Sequence, residues 1–301
     1  MLSGYLIAKS WDQYPRFNVF LAKRMLRIFP GLIVAVVITI VICGLFFTSL
    51  PVLSFFLHQE TLTYLNNFLL YNSAFTLPGV FESNIYPRAV NGSIWTLAYE
   101  FTMYLVIALI GVTRLYKKIP PFVMWLGLFL ITLVMLLVGR EHFSFVIFYL
   151  DVSQMLIFAL IFFGGVIVYK YENRMKFHPV AGLIALLGFV GLSLLAPKIG
   201  AIFAATLLTY AVFALGRHGL MSWTSRFGDF SYGLYIYAFP VQQMIAALTH
   251  TTNALKMFAL SFAVTFAISI LSWYFVESRA LKWKERINTK KYPLMQTDDA
   301  W

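Results

Sequence analysis

An all-α, polytopic membrane helix bundle is the fold class that three observations predict for this 301-residue chain. Hydrophobic side chains make up 60% of it and the mean hydropathy is +0.79, more apolar surface than a water-soluble core buries, so lipid must solvate much of it. Eight apolar stretches come close to the roughly 20 residues a helix needs to cross the hydrocarbon layer. The basic residues fall in alternate links between those stretches, nineteen of the 23 Lys and Arg on one side and four on the other.

The stretches lie near 31–50, 93–112, 121–139, 153–169, 179–196, 199–216, 230–248 and 256–276. Rich in Leu, Ile, Val and Phe, they lack the period-two alternation of barrel strands and are expected to be helices. Lys9, Arg16, Lys23, Arg24 and Arg27 precede the first stretch, while Arg88, Arg140, Lys198 and Lys256 fall on the opposite side. That asymmetry predicts that residues 1–30 and the carboxyl terminus are cytoplasmic. Met1–Ile7 lacks the basic flank of a cleavable signal. Thr61–Leu77 has helical apolar spacing but carries Asn66, Asn67 and Asn72 and runs into Pro78-Gly79. Three amides argue against exposure to lipid, so an interfacial or partly inserted element is expected in the long outer loop 51–92. No repeat or low-complexity linker interrupts the chain, which predicts one transmembrane domain over 1–283 and a basic, polar cytoplasmic tail over 284–301.

The net charge of +11 is carried in the short links, a pattern that points to membrane lipid and topology and excludes nucleic acid as a partner. Cys43 is the single cysteine and lies in an apolar run, which excludes a disulfide framework and a cysteine metal site. The histidines at 58, 142, 178, 218 and 250 fall in links or near span ends, and none is spaced as a metal-ligand pair. No metal site is therefore expected, nor does a phosphate loop or nucleophile elbow appear.

Three places carry chemistry. Glu100, two turns inside the second stretch, needs a protein partner or a wet cavity, either as a site residue or as half of a helix-packing ion pair. Lys23, Arg24 and Arg27 stand before Ile28-Phe29-Pro30, with the two arginines on one helix face; paired guanidinium forks suit phosphate, although basic residues also flank spans merely to set topology. Tyr232, Tyr235 and Phe239 form a stripe ahead of the helix-bending Pro240, consistent with a polar cavity or with plain helix-to-helix hydrogen bonding.

In order and spacing, Leu2-Ser3-Gly4-Tyr5-Leu6-Ile7, Lys23-Arg24-Met25-Leu26-Arg27-Ile28-Phe29-Pro30, Trp95-Thr96-Leu97-Ala98-Tyr99-Glu100 and Ser231-Tyr232-Gly233-Leu234-Tyr235-Ile236-Tyr237-Ala238-Phe239-Pro240 resemble motifs of the bacterial membrane acyltransferase family 3, which includes O-antigen and peptidoglycan O-acetylases. The resemblance covers residue 2 to about Ser278. It implies a ten-span inner-membrane fold with cytoplasmic termini, no bound cofactor, an acyl-CoA donor and a glycan or lipid-linked sugar acceptor. By position it implies donor or substrate binding by Lys23, Arg24, Arg27, Trp95, Tyr232 and Tyr235, and a supporting catalytic role for Glu100. The late motif often has a histidine where Ala238 stands here. Family members also carry, in their first helix, a basic residue and then a histidine that looks like the catalytic base, which alcohol acylation needs near neutral pH. With eight stretches against ten spans, and Met1–Ile7 matching the end of the second helix, that histidine is expected to be absent from this chain, and little transfer activity is expected if the chain as given is complete. The expected function is O-acylation, by acetyl or another short acyl group, of a cell-surface glycan such as O-antigen or another exopolysaccharide. The alternatives are a transporter or flippase of lipid-linked sugars, which would show paired broken helices, and a non-catalytic truncated fragment.

Overall fold

A computed structural model of the chain describes residues 1–217 and 227–289. It opens with α1 (Leu2–Gln13) and α2 (Phe17–Phe46), which has Pro30 in its interior. The first apolar stretch was expected from residue 31, yet α2 begins at Phe17. Lys and Arg are good helix formers, so basic residues mark where the lipid-matched part of a helix stops without ending the helix. The loop 51–92 holds two short helices, α3 (Val52–Leu57) and α4 (Gln59–Tyr64), and a 3₁₀ turn at Leu65–Leu69.

Helical structure in the expected 61–77 element ends there, because Asn67 uses its side chain in place of a next helical turn. Its Nδ2 donates to the carbonyls of Tyr64 (2.8 Å) and Ala74 (2.9 Å), while its Oδ1 accepts the Ala74 amide (3.0 Å). Of the three amides that argued against lipid, that of Asn67 is fully buried in protein and satisfied there, while Asn66 is half-buried and Asn72 exposed.

The next helices follow the predicted stretches closely, α5 (Trp95–Val112), then, after the single turn α6 (Leu115–Lys118) in a link, α7 (Pro121–Val138), α8 (Val152–Tyr171) and α9 (Pro179–Leu195). The sixth stretch is divided into α10 (Pro197–Phe203) and α11 (Thr209–Gly216) by a π turn at Ala204–Leu208. Then come α12 (Ser231–Thr249), α13 (Ala254–Ser272), a second π turn at Trp273–Glu277, and α14 (Ser278–Thr289). Among the described residues, the named strands are β1 (Val146–Ile147) and β2 (Leu150–Asp151), an antiparallel pair before α8. Asp151 caps α8 by accepting the Gln154 amide (2.9 Å) and the Ser153 hydroxyl, with Ser144 on its other oxygen. Partial burial works to raise this carboxyl, but the Ser144, Ser153 and Gln154 hydrogen bonds and Arg140 outweigh it and hold the group below the ordinary carboxylate range.

Among the described residues, five helices are long and apolar enough to cross a membrane: α2, α5, α7, α8 and the run Ala254–Trp283. Pro179–Leu195 and Ala204–Gly216 are shorter apolar helices. α12 has 19 residues, and its tyrosines, glutamines and Pro240 dilute its hydropathy. The architecture is therefore the all-α polytopic bundle expected. Helix α14 carries the backbone to Thr289, into the segment expected as a tail; residues 290–301 lie outside the described residues, as do His218 and Arg226.

The described residues form two compact units. One is built from 1–21 and 99–217. Its α1 meets α8 backbone to backbone: a Cβ on Gly4 would lie 1.9 Å from the Phe162 carbonyl oxygen, and one on Gly165 1.8 Å from that of Met1. Close approach through small residues is how helices associate where lipid removes the hydrophobic incentive. Farther along the same pair, Asp12 accepts from Tyr169 (2.9 Å) and Lys170 (2.7 Å). Helix α1 is thus packed along a candidate span, with Ile7, Ala8 and Trp11 buried.

The other unit is built from 22–98 and 227–289. Here α12 packs on α13 at Gly233, where a Cβ would touch Ser269 at 3.0 Å. The 51–92 loop is hung on α12 by the amides of Asn84 and the buried Asn91 and Gln243. Gln243 donates to the carbonyls of Tyr86 (2.7 Å) and Ala89, Asn84 donates to the Gln243 carbonyl (2.9 Å), and Asn91 donates to that of Ile236 (3.0 Å).

Candidate active site

In the 22–98/227–289 unit the polar centre forms around Arg27. Its Nη2 donates to Asp229 Oδ2 at 2.6 Å and its Nη1 to Glu277 Oε2 at 3.3 Å, with the guanidinium carbon 5.6 Å from the centroid of the Tyr232 ring. Each partner is delivered by a local feature. The π turn at Trp273–Glu277 ends on Glu277, where the Ser272 hydroxyl also donates to Oε1 (3.0 Å). Gly228, at φ +119°, fits against Trp273, where a Cβ would meet the indole nitrogen at 2.2 Å, and the chain then presents Asp229. The other oxygen of Asp229 accepts both the amide (3.2 Å) and the hydroxyl (2.5 Å) of Ser231 at the start of α12.

Tyr232 is seated on the Pro30–Gly31 part of α2. Its hydroxyl donates to the Ile28 carbonyl (2.7 Å), and a Cβ on Gly31 would strike the ring at 2.7 Å. Tyr235, one turn on, donates to the Ser93 carbonyl (2.5 Å) and pairs with the Thr96 hydroxyl, so it fastens the start of α5 on either side of Trp95. The two tyrosines of one motif therefore tie α12 to two different helices. Lys23, one of the basic residues ahead of the first stretch, is only 1% exposed, while Arg24 and Trp95 are half-buried.

Glu100 belongs to the other unit. Its Oε1 accepts the hydroxyls of Ser3 (2.5 Å) and Tyr104 (2.6 Å), and those two hydroxyls stand 3.4 Å apart. The position of Ser3 follows from the Gly4 crossing, which presses α1 into the unit. Of the residues singled out in the sequence, the structure joins Arg27 with Tyr232 and brings Tyr235 to the turn that carries Trp95; Glu100 sits among hydroxyls. Asp229, Glu277 and Ser3 were not singled out. The signal for Glu277 was a carboxylate directly after the apolar run 256–276, and that for Ser3 was its place in the Leu2–Ile7 motif. The four described histidines, 58, 142, 178 and 250, are exposed.

Chemically, the first unit offers hydroxyls polarised by a carboxylate, and the second a guanidinium that an oxyanion can share. Helices with the length and apolarity of spans define a multi-pass membrane protein. Residues 1–275 match the acyltransferase family 3 model, described as "Acyltransferase domain", so the chain belongs to that family and is an acyltransferase. Over 290 residues it is 28% identical to an "O-acetyl transferase" of Shigella phage Sf6, a similarity covering 93% of this chain and 82% of that protein. No solved structure matches it.

Proposed function

We propose that the chain transfers an acetyl or other short acyl group from acyl-CoA to a hydroxyl of a cell-surface glycan such as O-antigen. Its place is the bacterial inner membrane, with the carboxyl terminus in the cytoplasm. The observation that carries this reading is the family match over 1–275, supported by the likeness to a protein named O-acetyl transferase. In the reaction the acceptor oxygen attacks the thioester carbonyl carbon, the carbon–sulfur bond breaks, and the hydroxyl proton passes by way of a base to the leaving thiolate. The products are an O-acyl ester and free CoA.

Arg27 supplies the planar cationic fork that grips donor phosphate. Glu100, already accepting two hydroxyls on one oxygen, orients hydroxyl groups near it and disfavours any that turn a lone pair toward it. The test is radiolabelled acetyl-CoA supplied to membranes of a strain with the gene deleted or restored. Label should enter the glycan, with equimolar CoA release, only when the gene is present. Equal labelling in both membranes overturns the reading.

A further inference from the structure

Arg27 faces two carboxylates of opposite accessibility. The side chain of Glu277 is 2% exposed and that of Asp229 is 53% exposed, with Arg27 itself at 22%. The three groups together carry one net negative charge, so a phosphate approaching that guanidinium meets an already over-compensated cation. One carboxylate has to give way. Glu277 is enclosed and held a second time by Ser272, so moving it would leave a buried charge without its cation. Asp229 divides its oxygens: Oδ2 goes to Arg27, and Oδ1 accepts both bonds from Ser231. Releasing Oδ2 costs one exposed ion pair, which is weak, and leaves the two bonds from Ser231 at the start of α12 in place.

We propose that Asp229 is an exchangeable counter-ion. It occupies the face of Arg27 that a phosphate of the acyl donor takes, while Glu277 stays as the fixed partner that keeps the guanidinium aimed. This rests on the reading of Arg27 as a donor-phosphate residue. Donor binding is then an anion exchange: phosphate displaces carboxylate, and Asp229 turns to solvent on its Ser231 anchor. Absence of donor leaves the site closed on itself, so the cation is never left bare in the membrane interface.

The experiment measures CoA binding to the full chain in nanodiscs of zwitterionic lipid for the wild type, Asp229→Asn, Asp229→Glu and Arg27→Ala. Asp229→Asn keeps an oxygen for Ser231 and loses the charge, so it should bind CoA about two- to fivefold more tightly, the reach of one exposed ion pair. Asp229→Glu keeps the charge and should show no such gain, and Arg27→Ala should lose binding. Unchanged or weaker binding by Asp229→Asn, with Arg27→Ala still defective, overturns the exchange and leaves the donor reading standing. Undiminished binding by Arg27→Ala overturns both. A second set of discs containing anionic lipid separates the sources of phosphate. The gain should persist there; if it disappears, a lipid headgroup takes the vacated face, and the exchange of Asp229 for donor phosphate is overturned.

Discussion

Glu277 and Glu100 both sit in helices apolar enough for a membrane, and the two units solve the same problem differently. Glu277 is met by a guanidinium and a serine, Glu100 by the hydroxyls of Ser3 and Tyr104. Pairing with a cation neutralises the carboxylate and makes each partner depend on the other, because removing one strands the other's charge. Hydroxyl donors leave the negative charge in place and spread it over short polar bonds, so the group stays electrostatically active toward whatever approaches. The first arrangement suits holding a charged partner in position. The second suits acting on neutral hydroxyls.

The largest effect should come from breaking the ion pair. Arg27→Ala strands Glu277 and should cost about 3–5 kcal/mol, read as thermal unfolding in nanodiscs, along with acyl-CoA binding. Adding Glu277→Gln to Arg27→Ala should recover much of the stability and none of the binding. If the double variant is no more stable than the single one, the buried charge is not the cause.

The hydroxyl arrangement is best tested from outside. Gly4→Leu drives a side chain into the Phe162 carbonyl, where even a Cβ would stand 1.9 Å away. Overpacking on this scale should cost about 3 kcal/mol and pull Ser3 off Glu100. The Ser3–Glu100 contact can be followed by cross-linking a cysteine pair at 3 and 100, whose yield should fall in the Gly4→Leu background. An unchanged yield would show that the helix crossing does not set Ser3.

The smallest structural effect separates charge from geometry. Glu100→Gln keeps an oxygen for both hydroxyls, so stability should change by no more than about 1 kcal/mol, while acyl transfer should fall about 10- to 100-fold as the acceptor loses its alignment. A loss of stability matching that of Arg27→Ala would erase the contrast between the two carboxylates.

Helices were legible in this chain because a bilayer imposes its own ruler. The predicted 93–112, 121–139 and 179–196 lie within two residues of the observed Trp95–Val112, Pro121–Val138 and Pro179–Leu195. Hydropathy is blind to helix that continues beyond lipid. It therefore missed α1, interrupted by Lys9, and the first turns of α2, where Lys23 turns inward. Motif order pointed to Arg27, Tyr232 and Glu100 as centres of interest. Their partners were not legible, since Glu277 is 250 residues from Arg27 and Ser3 is 97 from Glu100, distances over which no periodicity speaks. The π turn that delivers Glu277 has no local sequence signature either. Nor does residue type reveal the contact by which the Tyr235 hydroxyl fastens the start of α5.

The attachment of the 51–92 loop to α12 has a consequence for how this chain can change. Gln243 and Asn91 hold on to carbonyl oxygens, and Tyr86 and Ala89 are gripped through theirs. A carbonyl is the same whichever side chain it belongs to. The exposed side chains of Ile85, Tyr86 and Arg88 take no part in the fastening to α12, so that stretch can be rewritten, residue by residue, without losing its mooring. Diversification of the 51–92 loop and preservation of the helix that holds it are thereby uncoupled.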